Sequence, residues 1–226
     1  PPTNLCRSAW DWMRGEATAT DCNGASLGDL DQALQAAAEA ERLQAVYALA
    51  ARGDEAMPVL LEALRREAAA LLDRNMVAAH TNPSQLDTVL ALSSVGRPAV
   101  PYMLTLLEDE QWYLRAAAAD VLGDLGIIAN DTVPQLARAL DDEHEWVRRN
   151  AAEALGNIGP AAFDAVPALS HCLHDEHSWI RHNVAMSLAK IGPSARDAIP
   201  ALKANVYDEG IYACATAQMA IERLNA

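Results

Sequence analysis

The residues of this chain best suited to chemistry are histidines set among carboxylates. His144 and Glu145 are adjacent and follow Asp142 by two and three residues, while His174 and His177 flank Asp175 and Glu176. Imidazoles and carboxylates this close together could bind zinc or another divalent ion. The competing reading is a solvated polar edge. His171 reads as a polar residue of a helix, and His80 has no visible partner. Cys6, Cys22, Cys172 and Cys214 show neither a CxxC pair nor ligand spacing, so a structural zinc site is not expected. Cys172 and Cys214 fall among apolar residues and read as small hydrophobes. Cys6 and Cys22 could pair if the protein is exported. No Ser-His-Asp set, Cys-His pair or glycine-rich phosphate loop can be built from sequence neighbours. A site assembled across distant segments stays open. No cofactor and no resident metal are expected.

What positions these groups is a period. Pro101, Pro134, Pro167 and Pro200 stand 33 residues apart, as do Asp109, Asp142, Asp175 and Asp208. Arg115, Arg148 and Arg181 keep the same spacing, and so does the aromatic row Tyr113, Trp146, Trp179 and Tyr212. Gly126, Gly159 and Gly192 close successive units. A fixed period of this size means stacked copies of one supersecondary unit. The stacking would bring His144 and His177 to one edge.

Composition agrees with helices. Half of the 226 residues are hydrophobic, but only 5% are aromatic, and alanine and leucine dominate where sheets would want β-branched and aromatic side chains. Carboxylates outnumber Lys and Arg 31 to 17, for a formal charge of −14. Phosphate binding needs clustered cations, so nucleic acid is not the expected partner. The same field would repel an anionic membrane and attract a cationic protein or peptide. No apolar stretch approaches the length that spans a bilayer. No signal-peptide pattern opens the chain, which starts on Pro rather than Met. Either a segment has been removed or the chain is part of a longer protein, and a cytoplasmic location is the expectation.

Residues 1–25 do not fit the period and are expected to cap the array or to trail from an upstream domain, with a short helix over Asn4 to Arg14. Residues 26–226 are expected to form the array. A first pair of helices spans Leu27 to Ala38 and Glu39 to Arg52. A second pair begins near Asp54 and Pro58, carries a ten-residue insertion near 69–81, and resumes at Asn82-Pro83. Four regular units follow from Arg97. Each opens with a Val-Pro or Ile-Pro pair, turns at an acidic cluster, and ends with a second helix closed by glycine. Val147, Ala151, Ala154, Leu155 and Ile158 mark the buried face of one such helix.

The strings DDEHEWVRRNAAEALGNIGPAAFDAVPAL (141–169) and DEHSWIRHNVAMSLAKIGPSARDAIPAL (175–202) resemble HEAT repeats, particularly the short bacterial type found in bilin lyases. The resemblance covers about 200 residues. It implies an all-α, right-handed α-solenoid of about six helical pairs, with second helices lining a concave surface. It also implies a structural ladder of Asp109, Asp142 and Asp175 with Arg115, Arg148 and Arg181. Each aspartate would sit near the start of a second helix, and each arginine would bond an aspartate of its own or a neighbouring unit. Arg42 matches that position too.

Some HEAT-like proteins are enzymes. Deoxyhypusine hydroxylase holds two irons on His-Glu pairs in strings that look like VRHEAAEALG. The matching pairs here are Arg149-Asn150 and His182-Asn183, and a neutral amide cannot replace the carboxylate. The His144-Glu145 pair lies five residues too early. A bilin-lyase-like or metal-dependent activity, or a regulatory tail of a larger enzyme, is therefore the alternative. The favoured function is a scaffold or adaptor that binds a protein or peptide. The expected contact stripe reads Trp146, Asn150 and Glu153 in one unit and Trp179, His182, Asn183 and Met186 in the next, with Tyr113 and Tyr212 at equivalent places. These aromatics either glue neighbouring units together or stand partly exposed as anchors.

Overall fold

The computed structural model of the chain describes residues 25–36, 39–73, 86–206 and 211–225, apart from the side chains of residues 39, 71–73, 211 and 212. The expected helix at 4–14, Cys6, Cys22, His80, the Asn82-Pro83 start, Asp208 and the Tyr212 ring lie outside what is described, as does the insertion beyond residue 73. Among the described residues all regular structure is helical. No single helix there is long and apolar enough to cross a membrane. The chain forms two compact bodies, residues 1–99 and 100–226.

In the first body, α1 (Leu27–Leu34) and α2 (Glu39–Ala50) form one pair, and α3 (Met57–Asp73) and α4 (Asp87–Val95) form another. Ser26 starts α1 with a reciprocal capping box, its side chain accepting from the Asp29 amide while the Asp29 carboxylate accepts from the Ser26 amide, which satisfies two orphan donors. Asp54 sits in a 3-10 turn, Gly53–Ala56, that leads into α3. Leu30, Leu49, Leu60, Leu64 and Leu92 fill the core.

The second body repeats one unit four times. Its first helices are α5 (Val100–Leu106), α7 (Val133–Ala139), α9 (Val166–Cys172) and α11 (Ile199–Asn205). Its second helices are α6 (Trp112–Leu125), α8 (Glu145–Ile158), α10 (Ser178–Ile191) and α12 (Ile211–Asn225). Proline is the second residue of every first helix, where a missing N–H costs no hydrogen bond. At Gly159 the chain leaves α8 with φ +76°, a conformation that costs glycine alone little, and a 3-10 segment carries it to the next unit.

The second helices pack side by side in one layer, α6 on α8, α8 on α10 and α10 on α12. Small residues allow this. A Cβ added at Gly123 would lie 3.0 Å from the Ala154 Cα, and one at Gly156 would lie 2.8 Å from the Ser187 Cα. The helix backbones are therefore nearly in contact.

A chain of arginine–aspartate pairs locks the turns. Arg115 donates from Nε and Nη2 to Asp142, at 2.7 and 2.9 Å, and from Nη1 to the Asp109 and Glu110 carbonyls. One period on, Arg148 makes the same set of bonds, to Asp175 and to the Asp142 and Glu143 carbonyls. Arg181 bonds the Asp175 and Glu176 carbonyls. In the first body Arg42 repeats the pattern, with the Asp87 carboxylate and the Ala36 carbonyl. Arg42, Arg115 and Arg148 thus each hold the stretch before their own helix by backbone and the next pair by carboxylate. The aspartates act just upstream of the second helices. Asp109, Asp142 and Asp175 accept from the amides of Gln111, His144 and His177 two residues on, so each fixes the residue that starts the helix rather than its first turn.

Candidate partner-binding face

Two sides of α8 and of α10 are occupied by neighbouring second helices and a third by the first helices. What remains is a narrow face, and the expected contact residues divide across its margin. Trp146 and Trp179 lie on it, both half-buried, with ring centroids 5.0 Å apart and planes tilted by 49°. That is half the roughly 10 Å separation of packed helices, because the rings lean toward each other across the seam. Arg149 lies over the Trp146 ring with its guanidinium carbon 5.7 Å from the centroid, and pairs with Glu153 at 2.8 Å. Met186 and Asn183 are half-buried on α10, where Asn183 donates to the Trp179 carbonyl. His182 and the Thr216 hydroxyl share a hydrogen bond at 2.7 Å, linking α10 to α12.

Two expected contact residues turn inward. Tyr113 is 2% exposed and Asn150 is 1% exposed. Asn150 donates to the Ala116 carbonyl at 3.0 Å and accepts from Arg149, so it ties α8 to α6. Neither offers a surface to a partner, because the close approach of α6 and α8 buries the flank on which they sit.

His144 and His177 of the acidic turns are engaged in structure. The His144 ring stacks on Trp112, centroids 3.6 Å apart, while its Nδ1 accepts from the Trp146 amide. Burial first, together with the Arg115 and Arg148 charges, holds its pKa below the ordinary imidazole value despite Glu145 and Asp142. His177 packs edge-on to Trp179 and contacts Asp175 at 3.2 Å. Among the described residues no three His, Cys, Asp or Glu side chains converge as ligands for a metal. Cys172 is buried, and that burial pushes its thiol up to about 11, so it is no nucleophile at neutral pH.

Sequence reasoning undervalued Asp120. It is half-buried on α6 and faces Asp124 on its own helix and Glu153 and Arg149 on α8. Burial first, then the Asp124 and Glu153 charges, push its carboxyl up to about 7 despite Arg149. The native chain therefore holds this proton up to about pH 7, whereas an unfolded aspartate releases it near 4. Between those values the native state binds more protons, so this group's contribution to stability falls as pH rises. Asp120→Asn should raise the urea midpoint at pH 8 and leave it nearly unchanged at pH 5. A variant equally shifted at both values would contradict this placement of the charge. The only sequence signal is its spacing of seven from Tyr113, the spacing that also separates Trp146 from Glu153; its closeness to Glu153 exists only once α6 and α8 pack.

A second exposed feature lies on the 3-10 segments, where Ile127, Ile128 and Phe163 are 60, 43 and 54% exposed.

Comparison with known proteins accords with this architecture. The family model for HEAT repeats matches residues 84–149, 100–162 and 133–222, and that for the PBS lyase HEAT-like repeat matches residues 41–66. No curated protein matches in sequence. Among solved structures, a designed armadillo repeat protein in complex with the peptide (KR)4 is 19% identical, with 89% of this chain and all of that one covered and a TM-score of 0.54. The karyopherin Kap121p, bound to the extreme C-terminus of the protein phosphatase Cdc14p, is 15% identical over 88% of this chain and 25% of its own, with a TM-score of 0.66. The complex of CpcE and CpcF of phycocyanin lyase from Nostoc sp. PCC7120 is 24% identical over 67% of this chain and 98% of that one, with a TM-score of 0.53.

Proposed function

Because the chain belongs to the HEAT-repeat family, we propose that it is a scaffold or adaptor that binds a protein or peptide across the second-helix face of residues 100–226. The observation that carries this reading is the Trp146–Trp179 pair. Two indoles from adjacent units lean together on the side of the helix layer that no other described element packs against, and half-buried tryptophans carry a disproportionate share of interface energy. A solenoid face of this kind recognises its partner without chemistry. The formal charge of −14 and the acidic turns favour a cationic partner. The designed armadillo protein in complex with (KR)4 lends support by analogy of fold.

The test uses octapeptides selected from a displayed library on the wild-type protein. Changing Trp146 and Trp179 together to Ala should weaken the selected peptides by more than about 2 kcal/mol, roughly thirtyfold. The helical signal should be retained, since stability is spread over many unit interfaces. A double variant that unfolds, or that binds as before, contradicts the reading. Reversing the exposed turn charges with Asp141→Lys and Glu143→Lys should mainly slow association and flatten its salt dependence.

A lyase-like role is the second reading. It is favoured by the PBS lyase HEAT-like match at residues 41–66 and the likeness to CpcE and CpcF. Spectral change of a free bilin on mixing with the chain would support it over a scaffold.

A further inference from the structure

We propose that the α10–α12 end of the second-helix face takes an acidic side chain of the bound segment between Lys190 and Arg223, so that the partner carries a carboxylate at one end rather than being cationic throughout. This rests on the docking face described above and adds the charge order of the segment that lies on it.

The repeat supplies the comparison. A position near the end of each second helix recurs every 33 residues and reads Asp124, Asn157, Lys190 and Arg223. Four residues earlier the same helices carry Asp120, Glu153, Met186 and Met219. Both rows change in the same direction. On α6 and α8 they present acids and a neutral amide, and on α10 and α12 they present cations with methionines beside them. All four residues of the first row are exposed, and Met219 is 41% exposed, so this end of the face is open to a partner.

Helix stability does not account for this order. A cation in the last turn suits the negative end of the helix dipole, and Lys190 and Arg223 meet that demand on α10 and α12. The demand is the same on α6 and α8. Yet Asp124 stands one residue before the end of α6, where a carboxylate is unfavourable, and Asn157 stands in the same place on α8. Neither cation is paired with a carboxylate among the described residues. The Lys190 ammonium donates to the neutral Asn157 side-chain oxygen at 2.8 Å, across the α8–α10 seam. Arg149, by contrast, is committed to Glu153, and Arg115 and Arg148 to the ladder aspartates. Glu222 precedes Arg223 at the register of Gly123 and Gly156, the flank that on α6 and α8 meets the next helix. On the last helix it therefore lies on the side away from α10.

An apolar path leads to the two cations. On α10, Met186 lies about 10 Å along the helix from Trp179, and Lys190 lies about 6 Å further. Met219 and Arg223 repeat that last step on α12, one helix spacing away. From the indole pair to the cations is thus about 16 Å along the helices and about 10 Å across them, or roughly 19 Å on the diagonal, which about six extended residues span. The unbranched methionines suit varied apolar side chains in between. The other end of the segment lies toward Asp124 and the acidic turns, where the field favours cations. A segment with an acidic residue about six places from its apolar anchor fits this layout. One that is basic throughout sets like charge against Lys190 and Arg223.

The probe is a decapeptide library displayed with its C-terminus fused to the carrier, so that no terminal carboxylate is present. It is panned in parallel on the wild type, on Lys190→Glu/Arg223→Glu and on Trp146→Ala/Trp179→Ala, with helicity checked for each. The wild type should enrich Asp or Glu about six residues from an apolar residue, and the charge-reversed variant should favour Lys or Arg there instead. The most enriched wild-type peptide, synthesised with an amidated C-terminus, should bind roughly fivefold more weakly when its acid is changed to the matching amide. The same change should cost nothing against Lys190→Gln/Arg223→Gln. Selected peptides that lose binding in the double Trp variant but show no acidic preference would overturn this inference and leave the docking face standing. So would an acid-to-amide change that costs the same in the wild type and the Gln variant. Peptides that depend on the two cations and not on the indoles would uphold the carboxylate contact and overturn the indole pair as the anchor. Binding unaffected by either pair of substitutions would overturn both, as would a wild type that selects no peptide.

Discussion

Replacing Arg148 with alanine should lower stability by about 3 kcal/mol, and replacing its neighbour Arg149 should lower it by less than 1 kcal/mol. The two arginines are adjacent in sequence and alike in charge, but their side chains do different things. Arg148 and Asp175 are 12 and 7% exposed and share two hydrogen bonds, and the same guanidinium holds the Asp142 and Glu143 carbonyls. Removing it strands a buried carboxylate and two carbonyls at once. Burial alone would raise the Asp175 pKa; its bonds from Arg148 and the His177 amide more than reverse this, leaving it below the ordinary carboxylate range. A depressed native value means the pair's contribution is fully present above about pH 4 and is lost as pH falls through the native value. The gap between wild type and Arg148→Ala in urea titrations should therefore be largest near neutrality and narrow below about pH 4. Equal midpoints for the Arg148 and Arg149 variants at pH 7 would contradict the ladder.

Gly156→Val should be comparably damaging, at roughly 3 kcal/mol, for an unrelated reason. The added Cβ alone would lie 2.6 Å from the Ser187 hydroxyl and 2.8 Å from the Ser187 Cα, and the latter, being backbone, cannot swing away. The α8–α10 layer would have to open, at an overpacking cost that exceeds the small helix-propensity gain from losing a glycine. Because α8 and α10 carry Trp146 and Trp179, the indole pair should separate too, visible as a change in tryptophan fluorescence. Gly28→Ala is the control: nothing but the Ser26 hydroxyl comes within 4 Å of a Cβ there, and stability should hold or rise slightly. A Gly156→Val protein as stable as the wild type would show that the helices are not in the contact described.

How far the sequence reveals these things depends on whether a feature lives within one unit or between two. The prolines and closing glycines act locally, through φ and a missing N–H, and so the helical pairs of the repeats are readable from their spacing. The arginine ladder is half readable. The interval from Asp142 to Arg148 suggests a pair within one turn, yet the carboxylate that Arg148 meets belongs to the next unit, 27 residues on, and its own turn supplies carbonyls instead. Sequence spacing does not separate a side-chain oxygen from a backbone one. Tyr113 and Asn150 illustrate a different limit. A helical wheel describes one helix with one buried side. In the layer each inner helix has neighbours on both flanks, brought close by Gly123 and Gly156, and the buried arc widens past the stripe that the wheel leaves outside. Asp120 is hidden for the same reason. Its unusual chemistry comes from Glu153, 33 residues away and a period apart, and exists only when α6 and α8 pack.

The most direct measurement of the central claim is a chemical-shift map of the protein with one selected peptide bound. The two indole N–H signals of Trp146 and Trp179, assigned by single substitution, are the reporters, together with the amides of α6, α8 and α10. A partner lying across the second-helix face should move both indole signals and amides along those three helices, and leave the 3-10 segments carrying Ile127 and Phe163 unmoved. Shifts gathered around Ile127, Ile128 and Phe163, with both indole signals in place, would put the partner on the exposed apolar edge and contradict the account.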